Sequence, residues 1–323
     1  MRLFLRYCFF ILIASLPVHS AAQTYPAKPV RMIVGFPPGG GTDILARIVA
    51  QKLADGWGQQ AVVENRPGAS ATIAANAVAR AAPDGYTLSM GQLTPNAIAP
   101  ALFGKLPYDA LKDFAPIVLV GTSPNVLVVH PGLPVRSMSE LAALAKGRPK
   151  ALTYATSGAG SLQHIAAELF RSMAGVELVH VPFKGSGQAV IDLISGQVDM
   201  NFDSIPATIQ HIRSGKLRAL AVTAARRASG GLEAVPTIAE SGYPGYDLTT
   251  WWGLFAPAGT SNEILERILA DTLAALRNAE VRERFAGLAV EPGGGSRADF
   301  ADYVRAEVAK YDKLVKQLGI KTE

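Results

Sequence analysis

The stretch FPPGGGTD, Phe36 to Asp43, links an apolar run at residues 30–34 to a helical stripe that begins at Ile44. Its three glycines let the backbone come close to a ligand, and Thr42 or Asp43 can cap the helix. Free N–H groups at a helix start favour an anion, and open α/β sheets bind ligands beyond the carboxyl ends of their strands. The stretch therefore predicts a carboxylate or phosphate cradle, although an ordinary strand-to-helix turn has the same composition.

The rest of the chain repeats this alternation of short apolar runs and helical stripes, which is typical of a mostly parallel sheet flanked by helices. Apolar runs at residues 115–120 and 125–129 are separated by Gly-Thr-Ser-Pro. We predict that a long strand bends there and crosses between two domains, and that the chain returns at residues 249–257. One lobe is then expected to contain residues 23–122 with 250–323, and the other residues 123–249.

A second loop rich in glycine and hydroxyl groups covers residues 156–161, between a predicted strand and a predicted helix. A third glycine-rich turn covers residues 184–187, and a further turn is expected at residues 291–295. The unit of strand, small polar loop and helix thus recurs once in each expected lobe.

The first 22 residues have the pattern of a secretory signal peptide. Arg2 and Arg6 flank the start of an apolar segment, and Ser20-Ala21-Ala22 predicts cleavage after Ala22. Cys8 is the one cysteine of the chain, so the exported protein is expected to have no disulfide, thiol nucleophile or cysteine metal ligand. No later apolar run is long enough to span a bilayer, which predicts a soluble protein outside the cytoplasm.

The composition is that of an ordinary globular protein, with 323 residues of which 49% are hydrophobic and 18% charged. The formal charge is +5, and removal of Arg2 and Arg6 lowers it by two, which gives no support for nucleic-acid binding. The sequence has no Gly-x-Ser-x-Gly elbow, no phosphate-binding loop ending in Gly-Lys-Ser/Thr and no complete dinucleotide fingerprint. Its histidines lack the spacing of a helical metal site, so neither a metal nor a cofactor is predicted.

Several further side chains are candidates for ligand contact, each with a structural alternative. His164 can bind a carboxylate or act as a base, or it orients the loop before it. Lys184 can balance an acidic ligand or is merely solvated. Asp203 can hold an amino or hydroxyl group of a ligand, or it caps the following helix. Trp251 and Trp252 alternate across a predicted strand, so one should face a core while the other walls the cleft.

Five motifs taken together resemble the Bug-type receptors of tripartite tricarboxylate transporters. They are FPPGGGTD at residues 36–43, ENRPGA at residues 64–69, YATSGAGS at residues 154–161, VPFKG at residues 181–185 and WGLFAPAGT at residues 252–260. The resemblance implies a non-catalytic periplasmic receptor with the two-lobed, type II periplasmic-binding-protein fold. Each lobe is then a mixed, mostly parallel sheet flanked by helices, and the lobes close on the ligand like a hinged trap.

The resemblance also implies that backbone N–H groups and hydroxyls from two facing loops hold a carboxylate, often with bridging water. Together with the side chains weighed above, the candidate ligand-binding residues are Phe36, Gly40, Thr42, Asp43, Asn65, Thr156, Ser157, Ser161, His164, Lys184, Asp203 and Trp252. Residues 94–97 depart from the family's pattern, which leaves the far end of the ligand open. The implied partners are a small carboxylate and the membrane subunits of the transporter, with the receptor acting as a monomer and without a cofactor.

Two other functions stay open. A secreted α/β hydrolase could use Ser157 or Ser161 with His164, but neither an acidic orienting residue nor a nucleophile elbow accompanies them. A signalling receptor could use the same trap to report its ligand to a membrane sensor.

Overall fold

The structure is a computed structural model that describes residues 25–320. The predicted signal segment, with Arg2, Arg6, Cys8 and the expected cleavage after Ala22, lies outside the described residues. Between residues 25 and 320, no helix combines the length and the apolar character needed to cross a membrane.

Ten strands lie in the described part of the chain. They are β1 (Val30–Val34), β2 (Ala61–Asn65), β3 (Thr87–Gln92), β4 (Phe114–Val129), β5 (Thr153–Thr156), β6 (Val179–Pro182), β7 (Met200–Ser204), β8 (Arg218–Val222), β9 (Thr249–Pro257) and β10 (Glu291–Gly294).

Ten α-helices accompany them in the same described residues. They are α1 (Gly41–Trp57), α2 (Thr72–Ala79), α3 (Ala99–Leu102), α4 (Met138–Gly147), α5 (Leu162–Ala174), α6 (Ser186–Ile194), α7 (Ile205–Arg213), α8 (Asn262–Arg277), α9 (Ala279–Gly287) and α10 (Arg297–Leu318). The apolar stripe predicted for α1 is confirmed, because Leu45, Ile48, Val49 and Leu53 recur at helical spacing and are all buried.

The strands follow the order β2-β1-β3-β9-β4-β7-β5-β6, and β8 and β10 also pair with β4. Strand β1 pairs in parallel with β2 and β3, and β5 pairs in parallel with β6 and β7. The strands β4 and β9 pair antiparallel with all their recorded neighbours. The predicted α/β architecture with mixed sheets is therefore confirmed. The expectation that the sheets are mostly parallel is wrong, because β4 and β9 make five antiparallel pairings against four parallel ones among the described strands. The first sheet contains β1–β3, β9 and β10, and the second contains β5–β8, with β4 shared between them.

Strand β4 carries the chain from the first sheet into the second. Its residues 114–124 pair with β9, and its residues 125–129 pair with β7 and β8. The pairing with β9 shifts register between Pro116 and Val118, an irregularity of the kind that bends a strand. The two apolar runs predicted on either side of residues 121–124 are thus one strand of 16 residues.

Strand β9 separates two apolar cores. Trp251 is fully buried on one face, with its ring edge-on to Phe300 and its indole N–H donating to Glu307 at 3.2 Å. Trp252 is 1% exposed and lies in the other core, which is built around α1. The predicted alternation of the two tryptophans across a strand is confirmed.

Residues 291–294 form strand β10, where the sequence predicts a turn. Glu291 pairs with Thr122 of β4, and Gly294 pairs with Leu119. A Cβ on Gly293 would lie 2.2 Å from the Leu119 carbonyl oxygen, so this pairing requires glycine. The prediction of a turn is wrong because these glycines serve the close approach of two backbones.

Gly253 tests the packing of α10 on β9. A Cβ at Gly253 would lie 2.0 Å from Phe300 Cζ. We expect Gly253→Ala to lower the free energy of unfolding by about 1–3 kcal/mol, because a filled core cannot accept an added methyl group without strain. Urea denaturation measures the change.

The control for this experiment is Gly287→Ala in α9, where nothing lies within 4 Å of the new Cβ. This variant should be as stable as the wild type or more stable, because alanine is the better helix former. Unchanged stability of Gly253→Ala would contradict the described packing.

Candidate ligand-binding site

A small buried cavity lies where the carboxyl ends of several strands meet. Phe36 follows β1, Gln92 ends β3, Ser157 follows β5 and Ser204 ends β7. This inner cavity has a volume of about 30 Å³. Its lining residues are Phe36, Gly40, Gly41, Thr42, Gln92, Thr94, Asn125, Ser157, Leu162, Gln163, Ser186, Asp203, Ser204, Thr250 and Trp252. They come from both sheets, at the position where open α/β folds bind ligands.

Three helices begin at the inner cavity without a side-chain cap. Their N-cap residues are Gly40 for α1, Gly185 for α6 and Ser204 for α7. Of the other α-helices in the described residues, α4, α5, α8, α9 and α10 each have a serine or asparagine side-chain cap, and α2 and α3 have none. The helix starts therefore offer backbone N–H donors and the positive ends of three helix dipoles to the same space, which suits an anion.

Helix α1 begins at Gly41, earlier than the sequence indicates. The N–H of Ile44 already donates to the Gly40 carbonyl at 3.0 Å, so Thr42 and Asp43 lie inside the first turn. The prediction that one of them caps the helix is wrong. The Thr42 hydroxyl instead accepts a hydrogen bond from the Trp252 indole N–H at 3.0 Å.

Asp43 and Asn65 hold the FPPGGGTD loop in shape from behind. The Asp43 carboxylate accepts from the Gly39 N–H at 3.0 Å and pairs with Arg47 at 2.9 Å. Asn65 Nδ2 donates to Asp43 and to the Phe36 carbonyl, both at 2.9 Å. Burial alone would raise the pKa of Asp43, but these hydrogen bonds hold it below its ordinary value. The carboxylate is thus occupied by the loop itself.

The facing loop, residues 156–161, is held in a similar way. Thr156 Oγ1 lies 2.7 Å from His180 Nε2, and Ser161 caps α5 by accepting from the His164 N–H at 3.3 Å. His164 Nδ1 accepts from the Gly160 N–H at 3.1 Å. Among the described residues, no hydrogen bond is recorded between the His164 ring and the hydroxyl of Ser157 or Ser161, so this geometry gives a serine hydrolase no support.

Asp203 organises the polar wall of the inner cavity. Its side chain is fully buried, and Oδ1 accepts from Gln163 Nε2 at 2.5 Å, from Ser186 Oγ at 2.8 Å and from the Ser204 N–H at 2.7 Å. Asn201 Nδ2 donates to Oδ2 at 2.9 Å. Burial raises the pKa of Asp203, and the four hydrogen bonds oppose the rise. Asp203 thereby fixes the orientation of the polar side chains around it.

A larger outer cavity adjoins the inner one and shares Phe36 and Ser157 with it as walls. Its volume is about 640 Å³. The predicted residues His164 and Lys184 line this outer cavity. The His164 ring stacks on His180 with the centroids 4.3 Å apart. Burial lowers the pKa of both histidines and, with repulsion from His164, brings that of His180 to about 4, so both rings are neutral at pH 7.

The structure divides the predicted site residues into three groups. Phe36, Gly40, Thr42, Ser157, Asp203 and Trp252 line the inner cavity. His164 and Lys184 line the outer cavity. Asp43, Asn65, Thr156 and Ser161 brace the two loops through hydrogen bonds.

Sequence reasoning missed several polar residues of the inner cavity: Gln92, Asn125, Gln163, Ser186, Ser204 and Thr250. Thr250 Oγ1 donates to Asn125 Oδ1 at 2.7 Å, where β9 and β4 cross between the sheets. Polar residues inside two apolar runs are a signal that could have found this pair. Nothing in the sequence marks Gln163, which reaches the site because α5 packs against β7.

Comparisons with known proteins agree with this geometry. The sequence profile of the tripartite tricarboxylate transporter family receptor matches residues 45–320. Protein BugT of Bordetella pertussis is 39% identical over 313 residues, which cover 97% of this chain and 96% of BugT.

Two solved structures are similar to this chain over nearly their whole length. An R. palustris protein with adipate is 39% identical, with a TM-score of 0.89 over 92% of this chain and 99% of that chain. MatC from Rhodopseudomonas palustris with bound malate is 35% identical, with a TM-score of 0.86 over 90% of this chain and 100% of that chain.

Gly41 allows the two sides of the inner cavity to approach. A Cβ on Gly41 would lie 2.7 Å from Ser204 Oγ, across the cavity from α1. We expect Gly41→Ala to weaken ligand binding by about tenfold or more, since the strain of closing on the methyl group is about 1–3 kcal/mol. Titration calorimetry with a carboxylate that binds the wild type measures the effect.

Gly56→Ala is the matched control, because it lies in the same helix and nothing lies within 4 Å of the new Cβ. Its affinity should equal that of the wild type. If Gly41→Ala also bound normally, α1 and α7 would not close on the ligand as described.

The lowered pKa of His180 predicts that the stability of the protein depends on pH. Its pKa is about 4 in the folded protein and 6.5 ordinarily, so its contribution to stability is present above pH 6.5 and is lost as the pH falls towards 4. The free energy of unfolding of the wild type, relative to that of His180→Gln, should decline over this window and stay constant above it. Urea unfolding at fixed ionic strength measures both proteins, and a difference that does not change with pH would refute the assignment.

Proposed function

We propose, since this chain belongs to the tripartite tricarboxylate transporter receptor family as a Bug-type periplasmic solute-binding protein, that it captures a small carboxylate in the inner cavity. The observation that carries the proposal is the convergence of three helix starts without side-chain caps on that cavity. Helix α1 comes from the side of the first sheet, and α6 and α7 come from the side of the second, so both lobes contribute donors.

A carboxylate can be held here without a cationic side chain. A micromolar dissociation constant corresponds to about 8.2 kcal/mol. Six charge-assisted hydrogen bonds at ~1.5 kcal/mol each give roughly 9 kcal/mol before the cost of ordering the groups. Backbone N–H groups with the hydroxyls and amides of the inner cavity supply enough donors for this number.

The relatives support the class of ligand. The adipate in the R. palustris protein and the malate in MatC are both small carboxylates, and both proteins share the fold over nearly their whole length. We take the ligand-contacting residues to be the six predicted ones that line the inner cavity, joined by the backbone N–H of Ser186 at the start of α6. The side chains of Gln163 and Ser186 already donate to Asp203 and position that carboxyl group. The bracing residues Asp43, Asn65, Thr156 and Ser161 act on the ligand through the loops that they hold.

The remaining features of the proposal follow from the family. The protein is exported with cleavage after Ala22, acts as a monomer, catalyses no reaction and delivers its ligand to the membrane subunits of a tripartite transporter. Its lobes are residues 23–122 with 250–323 and residues 123–249. Strands β4 and β9 run between the first and second sheets at these boundaries, which supports the division.

Ligand-dependent stabilisation tests this function. We expect carboxylates from a panel of mono-, di- and tricarboxylic acids to raise the unfolding free energy by about 2.7 kcal/mol at a concentration 100 times their dissociation constant. The corresponding neutral primary amides should have no effect, because they lack the anion that the helix starts favour. Thermal unfolding, followed by calorimetry for each active acid, gives the result.

Product analysis of the same mixtures is the control for catalysis. Recovery of every acid unchanged agrees with a receptor. Turnover that disappears in Ser161→Ala, or stabilisation by no carboxylate at all, would contradict the proposal.

A further inference from the structure

We infer that the ligand is a carboxylate with an apolar body, an aromatic ring or a hydrocarbon chain of several carbons, and that this body occupies the outer cavity. The inference rests on the proposed function and names the class of acid that the site selects. In this inference, Phe103 and Phe183 select the apolar body of the ligand.

The volumes of the two cavities require a ligand that extends beyond the inner one. A single water needs roughly 10–15 Å³ of such space, so the inner cavity of about 30 Å³ admits two or so ligand atoms beyond its walls. This is room for the oxygens of a carboxylate and not for a whole metabolite. The outer cavity of about 640 Å³ lies within the range of roughly 300–1,000 Å³ that ligand pockets have.

The two cavities adjoin and share two wall residues. Phe36 and Ser157 line both, so a carboxylate among the helix starts would direct its remaining atoms past the Phe36 ring. Phe36 is 9% exposed, and its backbone carbonyl accepts a hydrogen bond from Asn65. An apolar ring therefore lies at the boundary between the cavities.

The walls of the outer cavity favour an apolar body. Phe36, Phe103 and Phe183 supply aromatic rings, and Ala69, Ala71 and Pro182 supply aliphatic surface. Its two histidines are neutral at pH 7, and no carboxylate side chain is among its lining residues in the described chain. Lys184, the charged residue of this lining, is exposed to solvent at the edge of the apolar walls. The hydroxyl groups of a compact polar acid would lose hydrogen bonds to water here and face apolar walls instead, which is unfavourable.

Phe103 reaches this cavity from the opposite lobe to Phe183. A Cβ on Gly160 would lie 3.8 Å from Phe103 Cζ, so the ring lies beside the loop of residues 156–161. Phe183 follows β6 of the second sheet. An apolar body is thus enclosed from both sides when the lobes meet.

A homologous series of acids tests the inference. We expect the affinity of the wild type to rise from butyrate through hexanoate to octanoate, by roughly fourfold for each methylene buried, and to exceed the affinity for malate. Phe103→Ala should weaken octanoate binding by about tenfold while leaving butyrate within about twofold. Phe103→Leu should recover most of the loss, because it restores apolar surface.

Leu111→Ala is the control, since it removes an apolar side chain that is 46% exposed and lies outside both cavities. It should leave the whole series unchanged. Thermal unfolding of each variant without ligand shows that the protein is folded, and Phe183→Ala replaces Phe103→Ala if the latter does not fold.

The outcomes distinguish a failure of this inference from a failure of the proposed carboxylate-receptor function. Equal affinity along the series, or tighter binding of malate than of octanoate, overturns the inference and leaves the carboxylate receptor standing. An equal loss for every acid in Phe103→Ala also overturns it, because the ring would then act on closure alone. If none of these acids binds and no member of the wider panel does, the proposed function fails as well.

Discussion

The antiparallel pairing of β4 with β9 is the constraint on which the site depends. Both strands are central, and β4 runs on from the first sheet into the second without a break. Where the pairing ends, Thr250 donates to Asn125, and Asn125 Nδ2 donates to the Phe202 carbonyl in the second sheet at 2.8 Å. These buried bonds satisfy polar groups that would otherwise be costly at the junction. They also place the carboxyl ends of β1 and β7 on opposite sides of one cavity.

The polar groups of the site are of two kinds: those that already have hydrogen-bond partners within the protein, and those that are free to bind a ligand. Asp43 and Asp203 are both buried, yet each accepts several hydrogen bonds from its own surroundings. Their carboxyl groups are occupied in fixing loops and side chains. The donors left for a ligand include backbone N–H groups at helix starts, which cannot move without moving a whole helix. Such preorganised donors lose little entropy when an anion binds.

Local sequence patterns predict much of this arrangement, whereas the contacts between residues far apart in the chain cannot be predicted from them. Glycines and hydroxyls between a strand and a helix marked residues 36–43 and 156–161, because the requirement for close backbone approach is visible in the residues themselves. The start of α1 was misplaced, since the choice between Gly40 and Thr42 as N-cap depends on which neighbour occupies the hydroxyl, here Trp252. Asn125 and Thr250 are 125 residues apart, and only the fold brings them together. The turn predicted at residues 291–295 failed for the same reason, because β4 is the partner that makes it a strand.

On the proposed function, binding by backbone donors makes the affinity for the ligand depend on how closely the two sides of the cleft approach. Contacts such as the bond from Ser70 Oγ to the Ala159 carbonyl at 2.6 Å join the two sides of the cleft at the outer cavity. With the sides together, water is excluded and each charge-assisted hydrogen bond acts in a low dielectric, where it is strongest. With the sides apart, the same N–H groups are hydrated and compete poorly for the anion. A cationic side chain would hold a carboxylate in either arrangement, whereas these helix starts hold it only when closed. On the proposed function, a receptor built this way binds its ligand tightly when closed and releases it when open.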